Sequence, residues 1–219
     1  RILGGSLEQS RKMHHYTLQL LDRSGVGPLL LDPDAAPEPA RRARGYSASS
    51  RTIRFANGSE IEILTDANTN YTLADARRVI PALAEARVAW LEEPFGCNDH
   101  GAYRMGAAIS PLVPIAAGEN HYTRFEFARL IEERAVQILQ PDLSKTGGIT
   151  EGMRIAAIAS AWGLPIHPHS SATGLNHAVS IHYLAALDNG GYFEACVSRF
   201  NPLRDMFGTA FEIGADGCV

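Results

Sequence analysis

Cysteine is scarce in this sequence, and the three cysteines, Cys97, Cys196 and Cys218, lie far apart. An odd number of cysteines without a CxxC pair argues against a disulfide framework and against a cysteine-based zinc site. We therefore expect a chain that works in a reducing, cytoplasmic compartment. The sequence also lacks an apolar run of membrane-spanning length, and its first six residues do not form the apolar region of a signal peptide.

Positive charge is limited as well: the only lysines are Lys12 and Lys145, and the net charge is −4. This balance gives no footprint for nucleic acid and no polybasic patch for a membrane surface, so we expect neither partner. Hydrophobic residues make up 45% of the 219 residues and charged residues 20%, which is ordinary for a soluble protein. A chain of this length predicts one sizeable domain with its own core.

A repeating unit is present from residue 61 onward. Short apolar runs alternate with amphipathic stretches, and the runs begin about 22 to 28 residues apart, the length of one βα unit. Such alternation predicts a parallel sheet with helices outside it. The predicted strands are 61–64, 88–91, 114–117, 136–139, 164–166 and 192–195.

Helix start and stop signals separate these strands. Capping boxes formed by Thr72 with Asp75 and by Thr123 with Glu126 predict two helix starts, and further helices are predicted over 150–161 and about 176–187. With candidate first strands at 16–20 and 45–48, the fold class is α/β, a (β/α)8 TIM-type barrel or its (β/α)7β-like variant. Residues 26–55 contain too little chain for two full helices, so we expect a barrel that is incomplete around the second strand and helix.

Acidic side chains follow three successive predicted strands, namely Asp66, Glu92 and Glu119. The carboxyl ends of parallel barrel strands meet at one mouth, where three uncompensated carboxylates would repel one another. A hard divalent cation removes that repulsion, and oxygen-only ligands select Mg²⁺ or Mn²⁺ over zinc. The alternative is that the three residues are ordinary acids at the protein surface.

A candidate proton-transfer pair comes from the next two strand ends, Asp142 and His169. An acid behind an imidazole fixes its tautomer and raises its basicity. The alternative is a core histidine bound to a backbone carbonyl, and His167 competes for the same role. Glu194, on the last predicted strand, would face the metal across the barrel unless it is a buried acid in an ion pair.

Five phrases occur in a fixed order between about residues 60 and 200: LTDAN from Leu64, WLEEP from Trp90, AGEN from Ala117, QPDLSKTGG from Gln140 and LPIHPH from Leu164. Together they resemble the mandelate racemase and muconate lactonizing enzyme group of the enolase superfamily. The resemblance implies that Asp66, Glu92 and Glu119 bind Mg²⁺, with Mn²⁺ possible, and that Glu93 is a supporting or packing residue.

The same resemblance implies that Asp142 and His169 form the Asp–His dyad of the racemase-like branch, because the lysine-base branch carries lysine where Asp142 stands. Glu194 matches the acid that hydrogen-bonds the developing enolate. Asn68 and His167 are candidates for substrate binding. Lys145 is a third candidate at a common family position, although we interpret it as structural support.

The implied reaction is Mg²⁺-dependent abstraction of the proton next to a carboxylate, through an enediolate. We favour dehydration of a sugar acid, a small-molecule carboxylate substrate, because the phrase around His167 and His169 and the polar mouth resemble the dehydratase branch. The alternative is a racemase or epimerase of a 2-hydroxy acid. Two further classes stay open: a zinc hydrolase using His167 and His169, and a non-catalytic metal-binding barrel.

Two departures from the family pattern concern the first part of the chain. We expect one catalytic barrel domain over residues 1–219 without the family's N-terminal capping domain, of which residues 1–10 resemble only the last turn. The family's Lys-x-Lys pair at the second strand is absent, and a strand end and most of a helix are missing between Ala48 and Arg51. The gap is either a deletion or an interruption of the sequence. Because the family commonly forms symmetric assemblies, we expect a homo-oligomer.

Overall fold

The computed structural model describes residues 52–54, 60–170, 173–195 and 201–206. Helices and strands alternate along this part of the chain. The predicted strands at 16–20 and 45–48 and the gap after Ala48 lie outside these residues. The strands are β1 (Thr52–Arg54), β2 (Glu60–Glu62), β3 (Thr65–Asp66), β4 (Leu91–Glu92), β5 (Ile115–Ala117) and β6 (Ile138–Leu139). The helices are α1 (Leu73–Glu85), α2 (His100–Ile109), α3 (Thr123–Glu132), α4 (Gly148–Ala161), α5 (Gly174–Ala185) and α6 (Pro202–Asp205).

The sheet that matters for the site is parallel and follows chain order, β3-β4-β5-β6. Parallel bridges continue it from Leu139 to Ile166 and from Ile166 to Gly190. Helices α1, α2, α3 and α4 connect successive members, as the spacing predicts. The predicted parallel α/β class is therefore confirmed.

The predicted barrel strand 61–64 is placed wrongly. Ile61 belongs to β2, which pairs antiparallel with β1 through the register Ile53 to Ile61. The parallel strand begins at Thr65, whose backbone N–H donates to the carbonyl of Trp90 at 3.2 Å. An apolar run cannot by itself distinguish a hairpin strand from a barrel strand, which explains the shift.

Two helix starts show where local signals succeed and fail. Thr72 and Asp75 form the predicted capping box, with Asp75 N donating to Thr72 Oγ1 at 3.2 Å and Thr72 N to Asp75 Oδ2 at 3.1 Å. The box predicted at Thr123 is wrong, because the capping residue is Tyr122 and its backbone N–H donates to Glu126. The strand spacing predicts a helix between β4 and β5, but no bounds were predicted for α2, because its buried positions are mostly small residues and give weak periodicity.

Alternation along the strands separates two apolar surfaces. Leu91, Ile115 and Leu139 belong to the large core that includes residues of the covering helices. Trp90, Ala116 and Ile138 form a second cluster on the opposite face of the sheet. Side chains that share the inner face with this second cluster can reach the carboxyl ends of the strands, where the acidic residues lie.

Candidate active site

Strand register brings the first two acidic residues together. Asp66 and Glu92 are direct partners across β3 and β4, and Glu92 is the partner of Ala116 on β5. Because paired residues share a face of the sheet, Asp66 and Glu92 lie on the same face as Ala116. Glu119 follows two residues after the end of β5. Asp66, Glu92 and Glu119 therefore lie at the same edge of the sheet, in the order that the sequence predicts.

The electrostatics of these acids show that they lie within reach of one another's charge. Burial, aided by the charges of Glu119 and Glu194, raises the pKa of Asp66 to about 6. Burial also raises the pKa of Glu92 to about 7, with the charges of Asp66 and Glu194 adding to the effect. Four carboxyl groups thus contribute to one negative region.

The carboxylates on the first two strands have neighbouring polar partners. Asp66 accepts hydrogen bonds from the backbone N–H of Asn68 at 2.7 Å and from Asn68 Nδ2 at 2.5 Å. Asn68 adopts a φ of 46°, a left-handed conformation that asparagine tolerates. Glu92 Oε2 accepts from Trp90 Nε1 at 3.1 Å. Asn68, a candidate for substrate binding, is therefore hydrogen-bonded directly to Asp66, a candidate metal ligand.

Glu119 is held by a small polar network. Asn120 Nδ2 donates to Glu119 Oε1 at 3.1 Å and to Glu93 Oε2 at 2.8 Å. Lys145 Nζ donates to Asn120 Oδ1 at 3.3 Å and lies 3.8 Å from Glu119 Oε1. Glu93 is only 2% exposed, and burial and the charge of Glu119 raise its pKa to about 7. These contacts suit Lys145 and Glu93 as supports for Glu119.

The three candidate ligands fit a hard divalent cation by their chemistry, because all offer carboxylate oxygens and two, Asp66 and Glu92, are half-buried with raised pKa values. Their present positions do not bring them onto a common point. Among the residues that the structure describes, no three His, Cys, Asp or Glu side chains are placed to hold a metal ion. Rotation of the side chains would be required for Asp66, Glu92 and Glu119 to converge.

Asp142 and His169 form the predicted pair. His169 Nδ1 lies 2.7 Å from Asp142 Oδ2, and the two residues are 8% and 0% exposed. The other ring nitrogen, Nε2, lies 3.2 Å from Glu119 Oε2. The imidazole is therefore fixed by an acid on one side and directed at the acidic edge of the sheet on the other, which suits proton transfer.

The pKa values of this pair shift in opposite directions. Burial alone would lower the pKa of His169, but the hydrogen bond to Asp142 and the charges of Glu194 and Glu119 outweigh it and raise the value to about 9. Burial would raise the pKa of Asp142, yet hydrogen bonds from His169 and Ser144 hold it below its usual value. The protonated imidazole and the ionised carboxylate stabilise each other.

Glu194 lies beside the pair but not on a strand. Its Oε2 accepts a hydrogen bond from the backbone N–H of Ser170 at 2.8 Å, close to His169 in the chain. The strand predicted at 192–195 is wrong, because the parallel bridge falls at Gly190 and residues 192–195 follow it as irregular chain. The carboxylate nevertheless reaches the site electrostatically, as the pKa values of Asp66 and Glu92 show.

His167 has different surroundings from His169. Its Nδ1 accepts a hydrogen bond from the backbone of Tyr192 at 2.8 Å, and its ring lies 5.1 Å from the ring of Trp90 and 5.2 Å from that of Tyr192. A Cβ atom at Gly191 would come within 2.3 Å of the imidazole. The two histidines therefore have separate partners, which does not favour their use as a shared zinc pair.

Several polar residues of the site escaped prediction. Ser144 donates to Asp142 through its backbone N–H at 2.7 Å and its hydroxyl at 2.6 Å, and the Asp-x-Ser spacing is a recognisable signal for such a turn. Asn176 also donates to Asp142, at 3.2 Å. That contact depends on packing, and no local spacing in the sequence indicates it, whereas Trp90 and Glu92 are two residues apart and share a strand face.

A parallel sheet with connecting helices, whose strand ends carry acidic residues beside an Asp–His pair, is typical of the (β/α) barrel class. The chain belongs to the enolase C-terminal domain-like family, whose model matches residues 39–219. This confirms the resemblance to the enolase superfamily.

Known proteins similar to the chain include a sugar-acid enzyme and two solved structures. Arabinonate dehydratase from Saccharolobus solfataricus is 37% identical over 164 residues, covering 74% of this chain and 43% of that protein. A member of the enolase superfamily from Polaromonas sp. JS666 is 72% identical with a TM-score of 0.69, covering 73% of this chain and 42% of that one. A racemase from Streptomyces coelicolor A3(2) with bound magnesium is 31% identical with a TM-score of 0.55, covering 59% and 37%.

The chain thus spans less than half the length of each of these three proteins. Within the described ranges, no helix combines the length and the apolar character needed to cross a bilayer.

Proposed function

We propose that the protein dehydrates a sugar acid, with Mg²⁺ as cofactor. The proton next to the carboxylate is removed, and the 3-hydroxyl leaves as water. The observation that carries this proposal is the buried Asp142–His169 pair, in which His169 Nε2 faces Glu119 at the acidic strand ends. The dehydratase from Saccharolobus solfataricus supports the choice of dehydration and of an acid substrate.

Asp66, Glu92 and Glu119 would hold the cation. When bound, Mg²⁺ supplies Lewis-acid stabilisation of negative charge on a substrate carboxylate, and Mn²⁺ could serve in its place. The oxygen-only donor set and the magnesium found with the Streptomyces racemase support this assignment. Glu119 accepts a hydrogen bond from Asn120 and lies near Lys145, and Asn120 is bonded in turn to Glu93. These contacts restrict the position of Glu119.

His169 would move the proton. Asp142 accepts the Nδ1 hydrogen, so Nε2 is the ring atom that exchanges protons with the substrate. In dehydration it removes the α-proton or protonates the departing 3-hydroxyl, which then leaves as water. Glu194, when protonated, would donate a hydrogen bond to the developing enediolate, and the backbone N–H of Ser170 fixes its position.

The remaining assignments are also proposals. Asn68, His167 and Lys145 are kept as candidate substrate-binding residues, and Asn68 is the best placed because it bonds Asp66 directly. A single barrel domain over residues 1–219, a homo-oligomeric state and a cytoplasmic location belong to the same proposal.

Racemisation or epimerisation of a 2-hydroxy acid is the second candidate, favoured by the likeness to the Streptomyces racemase. It would use the same His169 to exchange one α-proton without loss of a hydroxyl. The two reactions differ in product and not in the groups that begin them.

The test is incubation of the protein with a panel of sugar acids and 2-hydroxy acids in D₂O with Mg²⁺. A 2-keto-3-deoxy acid among the products supports dehydration, whereas α-proton exchange without a keto product supports the racemase. His169→Asn should abolish either reaction, and His182→Asn, on the exposed side of α5, should not. A panel with neither product nor exchange would favour a non-catalytic barrel.

A further inference from the structure

The first turn of α5 contacts the proposed proton-transfer pair. Asn176 lies in that turn, is 2% exposed, and donates from Nδ2 to Asp142 Oδ1 at 3.2 Å. The two residues are 34 positions apart in the chain. A buried amide that reaches a catalytic carboxylate from another element can restrict its orientation.

The hydrogen bonds to Asp142 are divided between its two oxygens. Oδ1 accepts from Ser144 N, Ser144 Oγ and Asn176 Nδ2. Oδ2 faces His169 Nδ1 at 2.7 Å. Donors on Oδ1 fix the rotation of the carboxyl group and so direct Oδ2 at the imidazole. Ser144 does this from the same loop, whereas Asn176 ties the loop to α5.

Asn176 is itself held in place. Its backbone N–H donates to Thr173 Oγ1, the N-cap of α5, at 3.1 Å. The first turn of α5 is therefore fixed at its cap and contacts Asp142, the partner of His169.

We propose that Asn176 is a positioning residue, which holds the Asp142 carboxylate so that His169 keeps its proton on Nδ1 and its ring edge toward the acidic strand ends. The inference rests on the proposed roles of Asp142 and His169, but it does not depend on which substrate is used.

The test uses Asn176→Leu in the full chain, because leucine has the branched shape of asparagine but no N–H. The readout is the ¹H NMR resonance of the imidazole Nδ1 proton, assigned by its loss in His169→Gln. In Asn176→Leu we expect this resonance to shift and its exchange with water to quicken about tenfold. Where the protein turns over a sugar acid, the α-proton exchange rate should fall about tenfold with KM within about twofold.

Asn189→Leu is the matched control, since among the described residues the Asn189 amide donates to the backbone carbonyls of Ala156 and Leu164 and not to Asp142 or His169. It should lower the melting temperature through the loss of these part-buried hydrogen bonds, but the His169 resonance should not move. Asn176→Ala is the second variant if leucine prevents folding, and the same change in the resonance is expected from it.

An unchanged resonance in both folded Asn176 variants would overturn the inference, as would the absence of the resonance from the wild-type chain. A changed resonance in a protein that acts on no sugar acid leaves the positioning role standing and removes the proposed function. The two proposals can therefore fail separately.

Discussion

Nε2 of His169 lies 3.2 Å from Oε2 of Glu119. The ring atom proposed to exchange protons with the substrate is thus the partner of a carboxylate proposed to bind the cation. Glu119 therefore connects the acidic strand ends to the Asp–His pair. Substitution of Asp142 should affect proton transfer, whereas substitution of Asn120 should affect cation binding.

Asp142→Asn should slow proton transfer without removing the cation. An amide can present its NH₂ to the imidazole and so favour the wrong tautomer, because asparagine keeps the shape of aspartate but not its charge. We expect α-proton exchange in D₂O, followed by NMR, to slow by about 10² to 10⁴-fold. Mg²⁺ affinity measured by calorimetry should stay within about threefold, since Asp142 is not among the proposed ligands.

Asp188→Asn is the control for that experiment, because Asp188 is exposed and accepts only a hydrogen bond from Ser160 among the contacts described. An Asp142→Asn protein that exchanges the α-proton at the wild-type rate would remove His169 from the mechanism.

Asn120→Ala should weaken cation binding. Asn120 connects Glu119 to the buried Glu93 and receives a hydrogen bond from Lys145, so its loss frees Glu119 to rotate. Partners of metal ligands typically change metal affinity by about 10 to 100-fold, and we expect the Mg²⁺ Kd to rise within that range. Asn98→Ala, at an exposed position, serves as the control. Equal affinities for the two variants would contradict the network.

Glu151→Gln should lower stability at neutral pH and lose its effect in acid. Glu151 accepts from Arg124 N at 2.9 Å, from Arg124 Nη1 at 2.8 and 2.7 Å, and from Arg154 Nη1 at 3.1 Å. The hydrogen bond from the backbone of Arg124, with help from both guanidinium groups, lowers the pKa of Glu151 below its ordinary value. Its stabilising contribution is therefore complete above the ordinary value of about 4.3 and is lost as pH falls through the lowered pKa.

Urea unfolding from about pH 7 down to about pH 3 checks this. The free energy of unfolding of Glu151→Gln should lie below that of the wild type at neutral pH, and the two should approach each other in acid. Glu132→Gln, on the exposed side of α3, is the control. A difference that grows on acidification would refute the sign of the argument.

Gly118→Ala should destabilise the junction between β5 and Glu119. Gly118 has a φ of 152°, and a Cβ there would lie 2.7 Å from the backbone N and C of Gln140. Backbone atoms cannot move aside as a side chain can, so we expect a loss of more than about 2 kcal/mol in the free energy of unfolding.

Gly163→Ala separates strain from crowding. Gly163 has a φ of 67° but open space around its would-be Cβ, so only the left-handed conformation, about 1 to 2 kcal/mol, is at stake. Denaturant unfolding of both variants should place Gly118→Ala clearly below Gly163→Ala. The reverse order would show that the contact with Gln140 relaxes.

The meeting of the acidic residues and His169 at one edge of the sheet was predictable, because parallel strands have their carboxyl ends at the same edge. On that basis the pairing of Asp142 with His169 and the position of Asp66 and Glu92 at neighbouring strand ends followed from sequence, whereas their direct register did not. Strand positions were less predictable: Ile61 pairs in a hairpin, and the last bridge falls at Gly190. Apolar runs report burial, and the choice of partner depends on the rest of the fold.

Supporting contacts were the least predictable part of the site. Asn120 holds its neighbour Glu119 but also a glutamate 27 residues away, and Asn176 reaches Asp142 across 34 residues. An isolated asparagine carries no spacing that identifies a distant partner, because its amide serves turns, caps and buried networks equally well. Side-chain geometry was needed to find both.

The rings of Trp90, His167 and Tyr192 lie within 6 Å of one another on the inner side of the sheet, and Trp90 also bonds Glu92. They form one aromatic cluster, in which Tyr192 remains 52% exposed. Because Trp90 Nε1 donates to Glu92, a change in the packing of these rings would reach the acidic strand end through that hydrogen bond.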